Sequence, residues 1–229
     1  MSQNLFKRLI TSILLLLLLL LVIFSHHYIF ILSISLIGVI ICIEANNIFS
    51  KLTVNQNLRK KKTIKKFNFK FLTLNLITFT YVFFIFCYFS YEIHRLEGPI
   101  FFLYVISICI FTDIGGYVFG NIIGGKKLTK ISPNKTISGT VGSFIFSVIP
   151  LILFLNFSFL DVEFNLNFIV FGLLISLISQ IGDLSISFLK RKASVKDTGK
   201  MLPGHGGILD RFDGIIFAIP FSYFLLRLI

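Results

Sequence analysis

The run ILLLLLLLLVIF at residues 13–24 is apolar throughout, with no charge and no turn residue. Similar runs recur along the 229 residues, of which 55% are hydrophobic and 14% charged. A soluble domain of this length would carry about 25% charged residues, so the expected solvent is a lipid bilayer. No small-residue cleavage site follows the first run, and a second apolar run begins at His27. We therefore interpret the first run as a retained helix and not as a signal peptide.

Seven apolar segments are each close to the ~20 residues that a helix needs to cross the hydrocarbon core. They are 8–24, 27–47, 69–91, 99–120, 140–160, 164–188 and 213–228. Because a helix satisfies its own backbone polar groups in lipid, we predict an all-α, polytopic integral membrane protein. No soluble domain and no internal repeat stands out, so residues 1–229 are predicted to form a single membrane-embedded domain.

Basic residues are distributed unevenly between these segments. If seven spans alternate, 20 of the 22 Lys and Arg residues fall on one side of the membrane. Cytoplasmic loops carry such an excess, so we predict a cytoplasmic N-terminus and a multi-pass protein of the cytoplasmic (inner) membrane. The net charge of +12 is then a topology signal, and nucleic acid is not an expected partner.

Acidic residues are predicted to gather near the cytoplasmic side, at the ends of three segments: Asp113, Asp183, Asp210 and Asp213. A carboxylate in a membrane segment is costly and by default functional, and like charges gather when a cation holds them. Hard oxygen ligands without cysteine favour Mg²⁺ over zinc. The alternative is that each acid pairs with a nearby Lys or Arg, which is a strong alternative for Asp197 between Lys196 and Lys200.

Features that favour a phosphate ligand accompany these acids. The stretch PGHGG (203–207) has few side chains, so an anion can approach its backbone closely. The stretch ISPNKTISGTVGS (131–143) places Ser132, Lys135, Thr136 and Ser138 ahead of a predicted helix start, which is a natural anion site. His205 could act as a general base, contact phosphate or order the loop; we favour the last two. Positive charge is supplied by Lys190, Arg191, Lys196 and Arg211.

The stretch SISFLKRKASVKDTGKMLPGHGGILDRFDG (185–214) resembles the signature of phosphatidate cytidylyltransferases, also called CDP-diacylglycerol synthases. Upstream, TDIGGYVFGNIIGG (112–125), ISPNKT (131–136) and GDL (182–184) are similar to further segments of that family. The similarity covers at least 112–214. Ile137 and Ser138 stand where the family commonly has Trp-Glu, and Ile186 stands where a Glu is common. The matching signature positions are Ser187, Lys190, Arg191, Lys196, Asp197, Gly199, Leu202, Pro203, Gly204, His205, Gly206, Gly207, Asp210, Arg211 and Asp213.

The resemblance implies transfer of the cytidylyl group of CTP to phosphatidate, giving CDP-diacylglycerol and pyrophosphate for phospholipid biosynthesis. The expected partners are CTP, phosphatidate and the bilayer, with the active site facing the cytoplasm; a homodimer is allowed. Mg²⁺ is the expected cofactor, with Asp183, Asp210 and Asp213 as its ligands, and the resemblance also allows a monovalent cation such as K⁺. The expected catalytic residues are Asp183, Asp210, Asp213, Lys196, His205 and Arg211. The expected substrate-binding residues are Ser132, Lys135, Thr136, Lys190, Arg191, Gly204, Gly206, Gly207, Asp113 and Asp197.

Two other functional classes remain open on the sequence. A CTP-dependent lipid-alcohol kinase would transfer the γ-phosphoryl group and release CDP instead of pyrophosphate. A membrane cation transporter would also use intramembrane acids, but here the acids are predicted at one face, and no pair of broken helices is evident. The released product and ion flux in proteoliposomes distinguish these classes.

Overall fold

A computed structural model describes residues 3–59, 69–129, 132, 135–157, 159, 165–202 and 206–228, with side chains described from residue 13 and not for 54–59. The regular elements in these ranges are helices, and the extended pairing is limited to two isolated bridges, Lys127 with Thr136 and Leu202 with Gly206. The all-α prediction is confirmed for the described residues.

The helices follow one another along the chain, and a π-helical segment, Tyr81–Cys87, joins α3 to α4. The α-helices are α1 Gln3–Ile23, α2 His27–Arg59, α3 Phe69–Thr80, α4 Tyr88–Leu96, α5 Gly98–Ile122, α6 Ile137–Ser147, α7 Ile149–Asn156, α8 Leu166–Lys192, α9 Leu209–Phe212 and α10 Ile215–Leu226.

Five helical stretches in the described residues are long and apolar enough to cross a membrane, which fits a multi-pass membrane protein. They are His27–Thr53, Phe69–Leu96, Gly98–Ile122, Ile137–Asn156 and Leu166–Lys192, and they correspond to the second to sixth predicted segments. The apolar part described for the first helix, Ile13–Ile23, is shorter, and α10 has 12 residues. Seven spans and a cytoplasmic N-terminus therefore stay predictions.

The chain forms two compact units, the first from Met1–Tyr91 with Phe188–Phe212 and the second from Glu92–Ser187 with Asp213–Ile229. In the first unit, α2 packs against α3, the π-helical segment and α9. In the second unit, α5 packs most extensively against α6 and also contacts α7 and α10. A single membrane-embedded domain over 1–229 stays a prediction.

Glycines bring α5 and α6 of the second unit into backbone contact. A Cβ atom built on Gly115 would lie 2.9 Å from the carbonyl carbon of Gly142, and one built on Gly139 would lie 2.8 Å from the oxygen of Gly116. Ser143 Oγ donates a hydrogen bond of 2.8 Å to the carbonyl oxygen of Thr112 across the same interface. Small residues permit this close approach between membrane helices, and here they place the start of α6 beside α5.

Candidate active site

A cavity of about 330 Å³ lies in the second unit, between α5, α6 and α8. Its volume is within the range of small-molecule sites, which is roughly 300–1,000 Å³. Five residues that the sequence assigns to substrate or metal line it together: Asp113, Ser132, Lys135, Thr136 and Asp183. The other lining residues are Gly116, Tyr117, Gly139, Thr140, Ser143 and Gln180. We call this cavity the α5–α6–α8 pocket.

Lys135 and Asp183 form an ion pair in the wall of this pocket, through Nζ and Oδ2. The other carboxylate oxygen of Asp183, Oδ1, accepts a hydrogen bond of 3.2 Å from Ser187 Oγ. The two side chains of the ion pair are 30% and 23% exposed, so both charged groups are accessible from the pocket. Asp183 thus has the basic partner that the alternative interpretation expected, and a cation and a carboxylate share one wall.

Asp213 lies beside Asp183 because two glycines allow α8 to approach the start of α10. A Cβ atom built on Gly182 would lie 2.8 Å from the carbonyl oxygen of Asp213, and one built on Gly214 would lie 2.9 Å from that of Ser179. The Asp213 carboxyl is close enough to hydrogen-bond to the Asp183 carboxyl. Carboxylate oxygens are ligands that Mg²⁺ prefers.

Asp183 and Asp213 belong to the second unit, whereas Asp210 belongs to the first. Among the residues that the structure describes, no group of three or more His, Cys, Asp or Glu side chains is arranged to hold a metal ion. The donor chemistry of Asp183 and Asp213 fits Mg²⁺, but the site with three aspartates stays a prediction. A monovalent cation such as K⁺ also stays a prediction.

The start of α6 contributes positive potential to the α5–α6–α8 pocket. Thr136 is the N-cap of this helix, with extended backbone angles and a side chain that accepts a 3.1 Å hydrogen bond from the N–H of Gly139. The sequence predicted this helix start after Ser138, whereas α6 begins at Ile137 and Ser138 lies in its first turn. A helix N-terminus carries a partial positive charge, and Lys135 adds a full one. Ser132, Lys135 and Thr136 are thus placed together, and their binding of an anion stays a prediction.

In the first unit, Asp210 holds together the signature loop, which we define as residues 193–208 between α8 and α9. Oδ1 accepts a hydrogen bond of 2.7 Å from Lys190 Nζ, and Oδ2 accepts from the N–H groups of Thr198 at 2.8 Å and Gly207 at 3.0 Å. Burial alone would raise the pKa of Asp210, but the Lys190 ammonium and these two N–H groups outweigh burial and hold the pKa below its usual value. Lys190, predicted as a phosphate ligand, is thus the ionic partner of Asp210.

Four further signature residues lie at the surface of the first unit. Arg191, Lys196, Asp197 and Arg211 are exposed. Gly206 has a φ of +83°, a conformation that favours glycine, and Asp197 Cβ lies 3.4 Å from the position that a Cβ atom would take there. Gly204 and His205 lie outside the described residues, so their predicted roles stay predictions.

Sequence reasoning assigned no role to Glu44, an acid of α2 that is 4% exposed. Its carboxylate accepts hydrogen bonds from the side chain of Thr198 and from the N–H groups of Ile208 and Leu209. A signal was present, because Glu44 is the only charge in the run ICIEANNIF (41–49), and an acid inside an apolar segment is by default functional.

The chain belongs to the cytidylyltransferase family, whose sequence profile matches residues 47–229. It is similar to a phosphatidate cytidylyltransferase of Staphylococcus aureus (strain COL), with 47% identity over 142 residues, 60% of this chain and 53% of the relative. A phosphatidate cytidylyltransferase of Staphylococcus haemolyticus (strain JCSC1435) is 45% identical over 136 residues, 58% of this chain and 51% of the relative.

A more distant relative is the phosphatidate cytidylyltransferase of Bacillus subtilis (strain 168), with 38% identity over 167 residues, 71% of this chain and 62% of the relative. The chain spans about half the length of the staphylococcal relatives that it matches. The family resemblance stated from the signature residues is therefore confirmed.

Proposed function

We propose that this chain transfers the cytidylyl group of CTP to phosphatidate, giving CDP-diacylglycerol and pyrophosphate. The observation that carries the proposal is the α5–α6–α8 pocket, which is lined by Asp113, by the ion pair of Lys135 and Asp183, and by Thr136, the N-cap of α6. Three relatives that are 38–47% identical carry the name phosphatidate cytidylyltransferase, which supports the same reaction.

In the proposed reaction, a phosphate oxygen of phosphatidate attacks the α-phosphorus of CTP. The bond from the α-phosphorus to the oxygen that bridges it to the β-phosphorus breaks, and pyrophosphate leaves. A phosphate nucleophile is already ionised at neutral pH, so no general base is required. Catalysis then depends on positioning and on stabilising the negative charge of the transferring and leaving groups.

Each element of the pocket has a proposed part in this chemistry. Lys135 and the N–H groups at the start of α6 bind phosphate oxygens, with Ser132 and Thr136 as additional hydrogen-bonding groups. Asp183 and Asp213 would hold Mg²⁺, which when bound would neutralise charge on the phosphates. Catalytic roles for Asp210, Lys196, His205 and Arg211 are proposed from the family signature alone.

The five apolar helical stretches support a location in the membrane, where the proposed lipid substrate is dissolved. We propose the cytoplasmic membrane as that location, with a cytoplasmic N-terminus and the loop at 121–139 on the cytoplasmic side. The uneven distribution of the 22 basic residues is the support for this orientation.

The test is an assay of the chain in mixed micelles with CTP, phosphatidate and Mg²⁺, in which CDP-diacylglycerol and pyrophosphate are both quantified. We expect one pyrophosphate per CDP-diacylglycerol. Lys135→Met should lower turnover by about 10²-fold, because it removes a charge that stabilises the transition state. Lys126→Met, an exposed position before the same helix, is the matched control and should behave like the parent. Release of CDP, or equal rates for the two variants, would contradict the proposal.

A further inference from the structure

Glu44 occupies an unusual position for an acid, because the hydrogen-bond partners it has among the described residues are all uncharged. Oε2 accepts hydrogen bonds of 2.7 Å from Thr198 Oγ1 and 2.9 Å from the N–H of Leu209, and Oε1 accepts one of 3.1 Å from the N–H of Ile208. The residue lies in the membrane-length stretch His27–Thr53 and is 4% exposed. A carboxylate at such a depth is held only by a well-formed set of donors.

Two glycines of the signature loop are packed against this carboxylate. A Cβ atom built on Gly199 or on Gly207 would clash with the carboxylate of Glu44, and at Gly207 it would also clash with Thr198 Oγ1. The sequence interpretation gave Gly207 the role of letting an external anion approach the backbone. In the structure, the anion that approaches Gly207 is the chain's own Glu44, which lies 163 positions earlier in the sequence.

Thr198 connects Glu44 to Asp210. Its hydroxyl lies 2.7 Å from Glu44 Oε2 and 3.0 Å from Asp210 Oδ2, so its single proton is placed between two carboxylates. The N–H of the same residue donates to Asp210 at 2.8 Å. A displacement of Glu44 would therefore move Thr198, and the movement of Thr198 would change the orientation of the Asp210 carboxylate.

Stability alone does not account for this arrangement. Buried charged groups can often be replaced by apolar groups of similar size without loss of stability. A carboxylate of α2 with three donors drawn from Thr198, Ile208 and Leu209 does what an apolar residue cannot, because it fixes the direction of each donor. Directional hydrogen bonds of this kind are how a neighbouring residue sets the geometry of a functional group.

We propose that Glu44 is a positioning residue that fixes the signature loop and, through Thr198, the orientation of Asp210. The proposal rests on the proposed cytidylyl transfer for its catalytic consequence. The structural part, the anchoring of the loop, does not depend on the reaction and is measured separately.

The experiment compares the parent with Glu44→Gln, Thr198→Val and the double variant, all as full chains in detergent micelles. Gln keeps the size of the side chain but turns one acceptor into an NH₂ group that faces a backbone N–H. Trypsin cleavage after Lys196 and Lys200, both exposed in the loop, reports loop opening. Cleavage after Lys126 and Lys127, exposed in the second unit, is the internal control.

We expect Glu44→Gln to speed cleavage after Lys200 by about tenfold or more, because hydrogen bonds to a charged group are lost. Cleavage after Lys126 should not change. In the same preparation, kcat should fall by about 10²-fold while the KM for phosphatidate stays within about twofold, because an oriented group is displaced and the lipid site is not. In kcat, the double variant should be no worse than the more impaired single variant by more than about twofold, since Glu44 is proposed to act on Asp210 through Thr198.

Glu92→Gln is the matched control variant, since Glu92 is also a buried acid but pairs with Arg95 at 3.0 Å in the second unit. It should leave cleavage of the loop unchanged. Unchanged cleavage after Lys200 in Glu44→Gln would overturn the proposal. Faster cleavage at every site, including Lys126, would also overturn it, and so would faster cleavage after Lys200 with the kcat of the parent. If the parent forms no CDP-diacylglycerol, the proposed function fails, and the cleavage ratio still decides whether Glu44 anchors the loop.

Discussion

Replacing Asp210 with Asn tests how the signature loop is held, because Asn keeps the size of the side chain and removes its charge. In the parent, the carboxylate accepts from Lys190 Nζ at 2.7 Å, from the N–H groups of Thr198 and Gly207 at 2.8 and 3.0 Å, and from Thr198 Oγ1 at 3.0 Å. An amide has one acceptor oxygen. In either rotamer its NH₂ group faces a donor, which is the Lys190 ammonium or the pair of backbone N–H groups.

The free-energy cost of Asp210→Asn follows from the burial of the ion pair between Lys190 and Asp210. The side chains of Lys190 and Asp210 are 13% and 9% exposed, so neither charge is screened as a surface pair would be. Breaking a buried pair costs about 3–5 kcal/mol, and a hydrogen bond to a charged group contributes about 1.5–3 kcal/mol. Because Lys190 retains some exposure and can turn toward water, we take about 3 kcal/mol. That free energy raises the open fraction of the loop by roughly 10²-fold.

Two measurements check the Asp210→Asn prediction. Trypsin cleavage after Lys200, relative to cleavage after Lys126, should accelerate by roughly 10²-fold if loop opening is in rapid equilibrium. Cytidylyl transfer should fall by at least ~100-fold. Lys190→Met is the companion variant, and its effect on cleavage should be smaller, because it leaves Asp210 with three neutral donors. If the loop of Asp210→Asn resists trypsin as well as the parent loop does, the reasoning is refuted.

Four further predictions concern acid stability, the metal, helix packing and topology. Because the folded pKa of Asp210 is depressed, its contribution to loop stability is present above the ordinary carboxyl pKa of about 3.9 and is lost as the pH falls through the folded value. In the parent, hydrogen exchange of the backbone amides of residues 198–202 should therefore become faster in acid, relative to the intrinsic exchange rate at the same pH. Asp210→Asn should remove this dependence of the exchange rate on pH. Asp213→Asn should insert normally but lose at least ~100-fold in cytidylyl transfer, and chelation should abolish parental turnover; activity that survives both would exclude a metal at Asp183 and Asp213. Gly142→Ala should lower the unfolding temperature, because its new methyl group meets Phe119 and overpacking costs about 1–3 kcal/mol, whereas Gly172→Ala, whose nearest neighbour is Ser147 O at 3.3 Å, should cost less. Single cysteines at Asn55, Thr129 and Ser194 should resist an impermeant reagent in sealed cells, and labelling of any of them from outside would reverse the predicted orientation.

The helices could be predicted from the sequence because an apolar run in lipid has few alternatives. A chain segment without water must satisfy its own backbone groups, so the runs behind the five membrane-length stretches had to be helical. The ends of the helices were harder to predict. The second segment was predicted to end at 47, whereas α2 continues to Arg59, because a helix can extend into water once its apolar part is anchored.

Five of the residues that line the α5–α6–α8 pocket could be named from the sequence, but their partners could not. Lys135 and Asp183 are 48 positions apart, and Glu44 and Ile208 are 164 apart. Such contacts depend on how helices pack, and packing is decided by the shapes of the helix surfaces that meet. The glycines illustrate the difficulty: Gly115, Gly139 and Gly142 permit helix contact, whereas the sequence analysis gave them no role in packing.

The exposure of the two ion pairs separates the roles of lysines that look equivalent in the sequence. Lys190 and Asp210 are 13% and 9% exposed. Asp210 also accepts hydrogen bonds from backbone N–H groups of the signature loop, so this ion pair maintains the fold of that loop. Lys135 and Asp183 are 30% and 23% exposed and line a cavity of about 330 Å³. An accessible pair of this kind is compatible with substrate binding, because a phosphate can approach the ammonium while a metal cation approaches the carboxylate, and the charges remain balanced. The ion pair that seemed an alternative to a phosphate and metal site is therefore a suitable resting state for one, and Lys135 is a stronger candidate for phosphate contact than Lys190.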